Sequence, residues 1–186
     1  MYPSPDYSNP SMNNWGHPPN YYNMYPCPYI VPDYWRPYPE QPVTAPIPLR
    51  DYGPEPFVVN IEEAAKQNNY FRIALWTGNH LQLTLMSINV GEDIGLEIHP
   101  DLDQFIRIEE SQGLVQMGDN DRNLDFQRYV YDDFVIIIPA GKWHNLINTG
   151  NKPLKLYSIY APPQHPHGAI HQTKAIAQAA EAEHGH

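Results

Sequence analysis

Basic residues and cysteine are scarce in this chain, and long apolar runs are missing. Its 186 residues carry 11 Lys and Arg against 21 Asp and Glu, a formal net charge of −10, with no basic cluster. Phosphate-backbone recognition draws on concentrated Lys and Arg, so nucleic acid is not an expected partner. The single cysteine, Cys27, excludes an internal disulfide and a cysteine-based zinc site. No stretch approaches the ~20 apolar residues that span a bilayer. The opening "MYPSPDYSNP" lacks the basic and apolar regions of a secretory signal. The expectation is a soluble cytoplasmic protein with no membrane partner.

What the chain does have is unevenly placed. Of 21 prolines, 15 fall in residues 1–56, with 9 of the 14 tyrosines. Prolines this dense remove backbone donors and disfavour helix at each preceding residue, which predicts an arm without regular structure. Its tyrosines offer stacking surfaces and phenols, so it reads either as a sticky, crosslinkable element or as an extension lying loosely on its own domain. The foldable part starts near Phe57, and the expected division is an arm over 1–56, a domain over 57–163 and a tail over 164–186.

A short helix is predicted in "NIEEAAKQNN", with Asn60 as N-cap and acids in the first turn. Short runs bounded by turn residues follow: "YFRIALWT", "LQLTLMSINV", "IGLEIH", "QFIRIEE", "GLVQMG", "FQRYVY", "FVIIIP", "HNLINT" and "LKLYSIYA". Closely spaced strands without intervening helices predict an all-β sandwich or barrel. The Ala-rich "HQTKAIAQAAEAEHGH" predicts a C-terminal helix.

Chemistry-bearing side chains gather in "GLEIHPDLDQF". On a strand Glu97 and His99 leave the same face, and Gln104 opens the next strand beside them. A polar trio facing an interior is costly unless something satisfies it. "PAGKWHNLINTG" adds His144, with Leu146 and Asn148 of the same parity. A donor arriving from a distant strand is what a metal site at the centre of a barrel requires. His165, His167 and His171 are read as a solvated loop, and Asn148 as a residue that fixes a turn.

These two stretches resemble the motifs of the cupin superfamily. In the second motif, G-x5-P-x-G-x2-H-x3-N, Asp133 stands for the first Gly, and Pro139, Gly141, His144 and Asn148 match. In the first motif, Gly91, His99 and Gly113 match, while Glu97 takes the first His position and Gln104 the Glu position. Pro139, Gly141 and Gly113 are read as turn-formers. The resemblance covers about residues 70–163 and implies a single jelly-roll barrel, commonly a homodimer. It also implies a divalent metal held by Glu97, His99, Gln104 and His144. One anion and three neutral donors keep the charge of the usual ligand set, and such donors suit Zn, Fe, Mn or Ni alike.

For Glu97 three roles stay open: metal ligand, general base, or partner of Arg107 or Arg128. A metal beside a base implies a small-molecule ligand and aldose–ketose isomerisation of the mannose-6-phosphate isomerase-like kind. Among cations near the motifs, Lys142, Arg107 and Arg128 are the candidates for a phosphate. Fe(II) dioxygenase chemistry is a further option. Against these enzymes stands a structural role, since the Pro/Tyr-rich arm resembles those of spore-coat proteins that assemble through such tails, which would place the protein in a spore coat.

Overall fold

The computed structural model describes residues 45–184. The arm expected to lack regular structure, and Cys27 within it, lie up to residue 44 outside the described residues. Among those described, the order is α1 (Ile61–Gln67), β1 (Arg72–Thr77), β2 (Gln82–Ile88), β3 (Asp103–Glu110), β4 (Gln112–Gly118), β5 (Phe126–Tyr131), β6 (Val135–Ile138), β7 (Trp143–Asn148), β8 (Leu154–Ala161), β9 (Ile170–His171) and α2 (Lys174–His184). The all-β expectation holds. One sheet has the order β6-β3-β8-β2-β1-β9 and the other β5-β4-β7, every pairing antiparallel.

The two sheets face each other across one core. Met86, Ile88, Ile106, Ile108, Ile136, Leu154 and Leu156 of the larger sheet meet Val115, Met117, Val130 and Leu146 of the smaller. A second apolar cluster lies on the outer side of the larger sheet. Ile73, Leu75 and Leu85 bury against Ala64 and Ala65 of α1, with Ile47, Leu49, Tyr52 and Phe57 packed around them. Asn60 caps α1 as expected, its side chain accepting from the Glu63 amide.

Register arranges the inner face of the larger sheet in transverse rungs. Ile108, Leu156, Met86, Arg72 and His171 lie on one rung, and Ile106, Ser158, Thr84 and Ala74 on the next. Gln104, Tyr160 and Gln82 form a third. The interior therefore passes from apolar, at Ile88 and Leu154, to polar within a few rungs. A strand alternates faces, so a polar chamber needs polar residues at every second position of several strands at once.

Two expectations are corrected. "IGLEIH" forms no strand; it makes isolated bridges to β7, Asp93 to Ile147 and Glu97 to His144. Gly113 is no turn-former. It lies in β4, where a Cβ would come within 2.8 Å of the Ile147 carbonyl oxygen and 3.0 Å of Leu146 Cδ1. Asp133, by contrast, stands at a motif glycine for a visible reason: its φ is +69°, a conformation that Gly, Asn and Asp enter most readily.

Asn148 ties the turn after β7 to β2. Its Nδ2 donates to the carbonyls of Ile88 and Lys152, both at 2.9 Å, and its Oδ1 accepts from the Gly150 amide at 2.9 Å. Asn148→Ala leaves these buried groups unpaired and is expected to cost about 1–3 kcal/mol. Urea unfolding checks this, and a loss under about 0.5 kcal/mol, the scale of an ordinary surface change, would contradict it.

Candidate metal centre

The side chains of the chamber are set by a backbone irregularity. Residues 91–99 run antiparallel to β7 without forming a regular ladder. The Ile94 amide donates to Leu146 at 3.1 Å, and Glu97 and His144 exchange both backbone bonds at 3.0 and 2.9 Å. Three steps along one chain therefore match two along the other, so one extra residue is accommodated. Gly95, at φ +97°, lies in that interval. Such a bulge re-aims the side chain that follows it, and here that side chain is Glu97.

Glu97, His99 and His144 come together. Glu97 Oε1 lies 3.3 Å from His144 Nε2 and 3.6 Å from His99 Nε2, and the three potential ligand atoms fall within 4.8 Å of one another. His144 Nδ1 lies 2.9 Å from the Lys142 carbonyl, which can only accept. In a neutral ring bound to a cation Nδ1 would therefore carry the proton, leaving the Nε2 lone pair for the cation. Gln104 is oriented likewise. Its Nε2 donates to Ser158 Oγ at 3.0 Å, leaving Oε1 buried without a partner. Gln104 stands opposite Tyr160, whose ring packs edge-on against His99 at 5.7 Å.

Both nitrogens of His99, Nε2 of His144 and Oε1 of Gln104 are buried without a hydrogen bond among the described residues. Buried polar atoms are paired in the great majority of cases. One ring nitrogen of His99 and Nε2 of His144 beside the Glu97 carboxylate, with Gln104 Oε1 as a third orphaned acceptor, fit a divalent cation, which would bond to lone pairs that nothing else uses. Burial alone would raise the Glu97 pKa, but His144, His99 and the nearby Arg72 outweigh it and hold the carboxyl well below its usual range.

Arg72 went unnoticed in the sequence because its strand looks like an ordinary hydrophobic one. It is 1% exposed, on the inner face of β1, with NH2 3.9 Å from Glu97 Oε2 and NH1 2.6 Å from Glu181 Oε1 of α2. The arginines expected beside Glu97 are elsewhere: Arg107 pairs with Glu109 and Asp133, and Arg128 donates to the Gln127 carbonyl. The solvated-loop reading is corrected for two of the three: His165 stays in the loop before β9 but turns inward, and His171 lies in β9. His171 is buried opposite Arg72, and the His165 ring packs edge-on against Tyr160 at 5.1 Å and His171 at 6.3 Å. His167 alone of the three is exposed, bonded to the Gly53 carbonyl at 3.1 Å.

A family model described as Cupin domain matches residues 84–160, which hold β2 to β8 and all the candidate ligands. The chain is 68% identical over 133 residues to the Bacillus subtilis protein YrkC, covering 72% of each. It belongs to the cupin family. A protein of Acanthamoeba polyphaga mimivirus is 45% identical to this cupin over 115 residues, 61% of this chain and 70% of its own. The crystal structure of BH2720 from Bacillus halodurans is 71% identical, with a TM-score of 0.70 over 70% of this cupin and 99% of that chain. Among the described residues, no helix is long and apolar enough to cross a membrane.

The chamber makes the cupin acid-sensitive. Burial, and then Arg72, press His165 from 6.5 down to about 2. Between those values the unfolded chain binds more protons than the folded one, so stability is lost as pH falls below about 6.5. His171 is lowered by the same two causes and acts in the same direction. Glu97, also depressed, adds its own loss as pH falls below its ordinary 4.5. Urea midpoints are expected to drop from pH 7 to pH 5, with His165 contributing up to about 1.4 kcal/mol per pH unit and His171 adding in the same direction. His165→Gln should flatten that decline, and an unchanged slope would show that His165 takes protons freely when folded.

Proposed function

We propose that this cupin is a divalent-metal-dependent enzyme of small hydroxy-carbonyl molecules, with Glu97, His99 and His144 as ligands and Gln104 Oε1 as a further oxygen donor. The observation that carries the reading is the convergence of the unpaired His99 and His144 nitrogens on Glu97, with His144 and Gln104 each held by a partner behind it. Lys142 sets the His144 tautomer and Ser158 sets the Gln104 amide, as outer partners do at metal sites. A bound divalent metal would supply Lewis acidity toward a substrate oxygen. The chain's own residues hold and orient that oxygen in a chamber walled by Tyr160, Gln82 and Thr84, all fully buried.

In this reading Glu97 is a ligand, because one of its oxygens faces the Nε2 atoms of both His99 and His144. A sugar-phosphate isomerase of the mannose-6-phosphate type would need a cation for the phosphate. The candidates are engaged: Lys142 with Asp119, Arg107 with two acids, and Arg128 over the Phe126 ring. That favours an unphosphorylated substrate. Two histidines and one carboxylate are also the ligand set of Fe(II) oxygenases, which makes oxygen-dependent turnover the second reading. A spore-coat role would rest on the arm, which to residue 44 lies outside the described residues. For the expected homodimer, the exposed Phe126, Tyr129, Phe134, Val135 and Ile137 on and beside β5 and β6 supply an apolar face.

Metal analysis of the full chain, reconstituted in turn with Zn, Fe(II), Mn and Ni, is expected to find about one equivalent. His99→Ala and His144→Ala should each weaken binding more than about 100-fold, since even outer partners cost 10- to 100-fold. Wild-type protein without stoichiometric metal would sink the enzyme reading. Dependence of turnover on O2 then separates the oxygenase from the isomerase.

A further inference from the structure

Beside the metal ligands lies a second set of polar atoms that metal binding does not use. Arg72 Nε, Tyr160 OH, Thr84 Oγ1, His165 Nε2 and His171 Nδ1 are all buried without a hydrogen-bond partner among the described residues. They belong together. Arg72 and His171 share a rung of the sheet, Thr84 lies on the next, and Tyr160 on the one beyond. The His165 ring sits against both Tyr160 and His171. A guanidinium presents five N–H donors; among the described residues Arg72 NH1 donates to Glu181, and Nε has no partner. Glu97 Oε2, at 3.9 Å from NH2, is too far to take another.

Glu181 comes from α2, which folds back over this end of the chamber. Ala177 is buried in the barrel core, Lys174 bonds Asp93 at 2.7 Å, and Lys174 and Gln178 pass within about 4 Å of a Cβ placed on Gly95. Helix α2 therefore packs on the bulge that aims Glu97, and its Glu181, 30% exposed, reaches in to a guanidinium that is 2% exposed. A carboxylate enters the chamber from outside and meets the guanidinium through one oxygen, where the planar fork can take two.

We infer that Arg72, with Tyr160, His165 and His171, forms a carboxylate-binding subsite next to the metal ligands, and that Glu181 holds the place of a substrate carboxylate. Glu97 faces both sites, one oxygen toward the imidazoles and the other toward Arg72. A ligand filling both is a small acid with an oxygen on the carbon next to its carboxylate, a 2-hydroxy or 2-oxo acid. The second oxygen rests on the metal reading above; the carboxylate does not. Neutral imidazoles suit the role, since His165 and His171 can turn an N–H toward an anion without adding a charge that burial opposes. Binding displaces the Glu181 carboxylate from Arg72.

Calorimetric titration of the full chain, metal-stripped and metal-loaded, with L-lactate, pyruvate and the neutral lactamide tests this. Both acids should bind and lactamide should not. Glu181→Gln removes the internal competitor and should tighten both acids about three- to tenfold, as expected when the competent fraction rises. Arg72→Lys loses the fork and should weaken them about tenfold or more. Metal should strengthen the acids further through the second oxygen. Equal affinity of wild type and Glu181→Gln, equal binding of lactamide, or no acid binding to either protein would overturn the subsite. If no metal binds but acid affinity still responds to Glu181→Gln, the metal reading falls and the carboxylate subsite stands.

Discussion

Two backbone hydrogen bonds between Glu97 and His144 hold the candidate site together. They join residues 47 positions apart in the chain and put two different ligand types on adjoining backbones. Everything else in the chamber is placed relative to that clamp. His99 follows Glu97 at a fixed remove, its carbonyl held by the Gly141 amide at 2.8 Å, and the same turn delivers His144 into β7. Because the clamp is made of main-chain atoms, it does not depend on which side chains the two positions carry. That is how a carboxylate can occupy a position where related motifs carry imidazole without the backbone changing course.

Part of the barrel was legible because β3, β4, β6 and β7 largely alternate in burial. In β7, Leu146 and Asn148 are buried with His144 while Trp143, Asn145 and Ile147 are less so, as the parity of "WHNLIN" requires. The bridge segment was not legible as an irregular one. "IGLEIH" has the composition of a strand, and a single inserted residue leaves no compositional trace beyond one glycine. Arg72 was hidden by its neighbours: in "YFRIALWT" the outward residues Ile73 and Leu75 are as apolar as a core strand, so the arginine reads as the solvent-facing one. Alternation tells which residues share a face, and it does not tell which face is inside when both are covered. His165 and His171 were missed for a related reason. A two-residue strand, β9, is too short to carry a pattern, yet it delivers His171 opposite Arg72.

The motif glycines separate into distinct physical causes. Gly113 is there for space, since the Ile147 carbonyl passes where a Cβ would stand. Gly141 and Asp133 sit where φ is positive, and the aspartate shows that the constraint at that point is conformational and admits a short polar side chain. Gly141 meets a candidate ligand through the backbone alone, its amide donating to the His99 carbonyl, and each of the three positions sets the path of a strand or turn near the site.

The outer cluster of α1 and residues 47–59 also takes on a different meaning. Buried polar groups without partners cost the barrel that encloses them. Strands β1 and β2 are anchored from behind, through Ile73, Leu75 and Leu85. A scaffold braced on the side away from its chemistry can leave polar groups on the working side unpaired and still keep its atoms in place. The segment just before the barrel is then its buttress, and the unpaired polar interior is something the exterior makes tolerable.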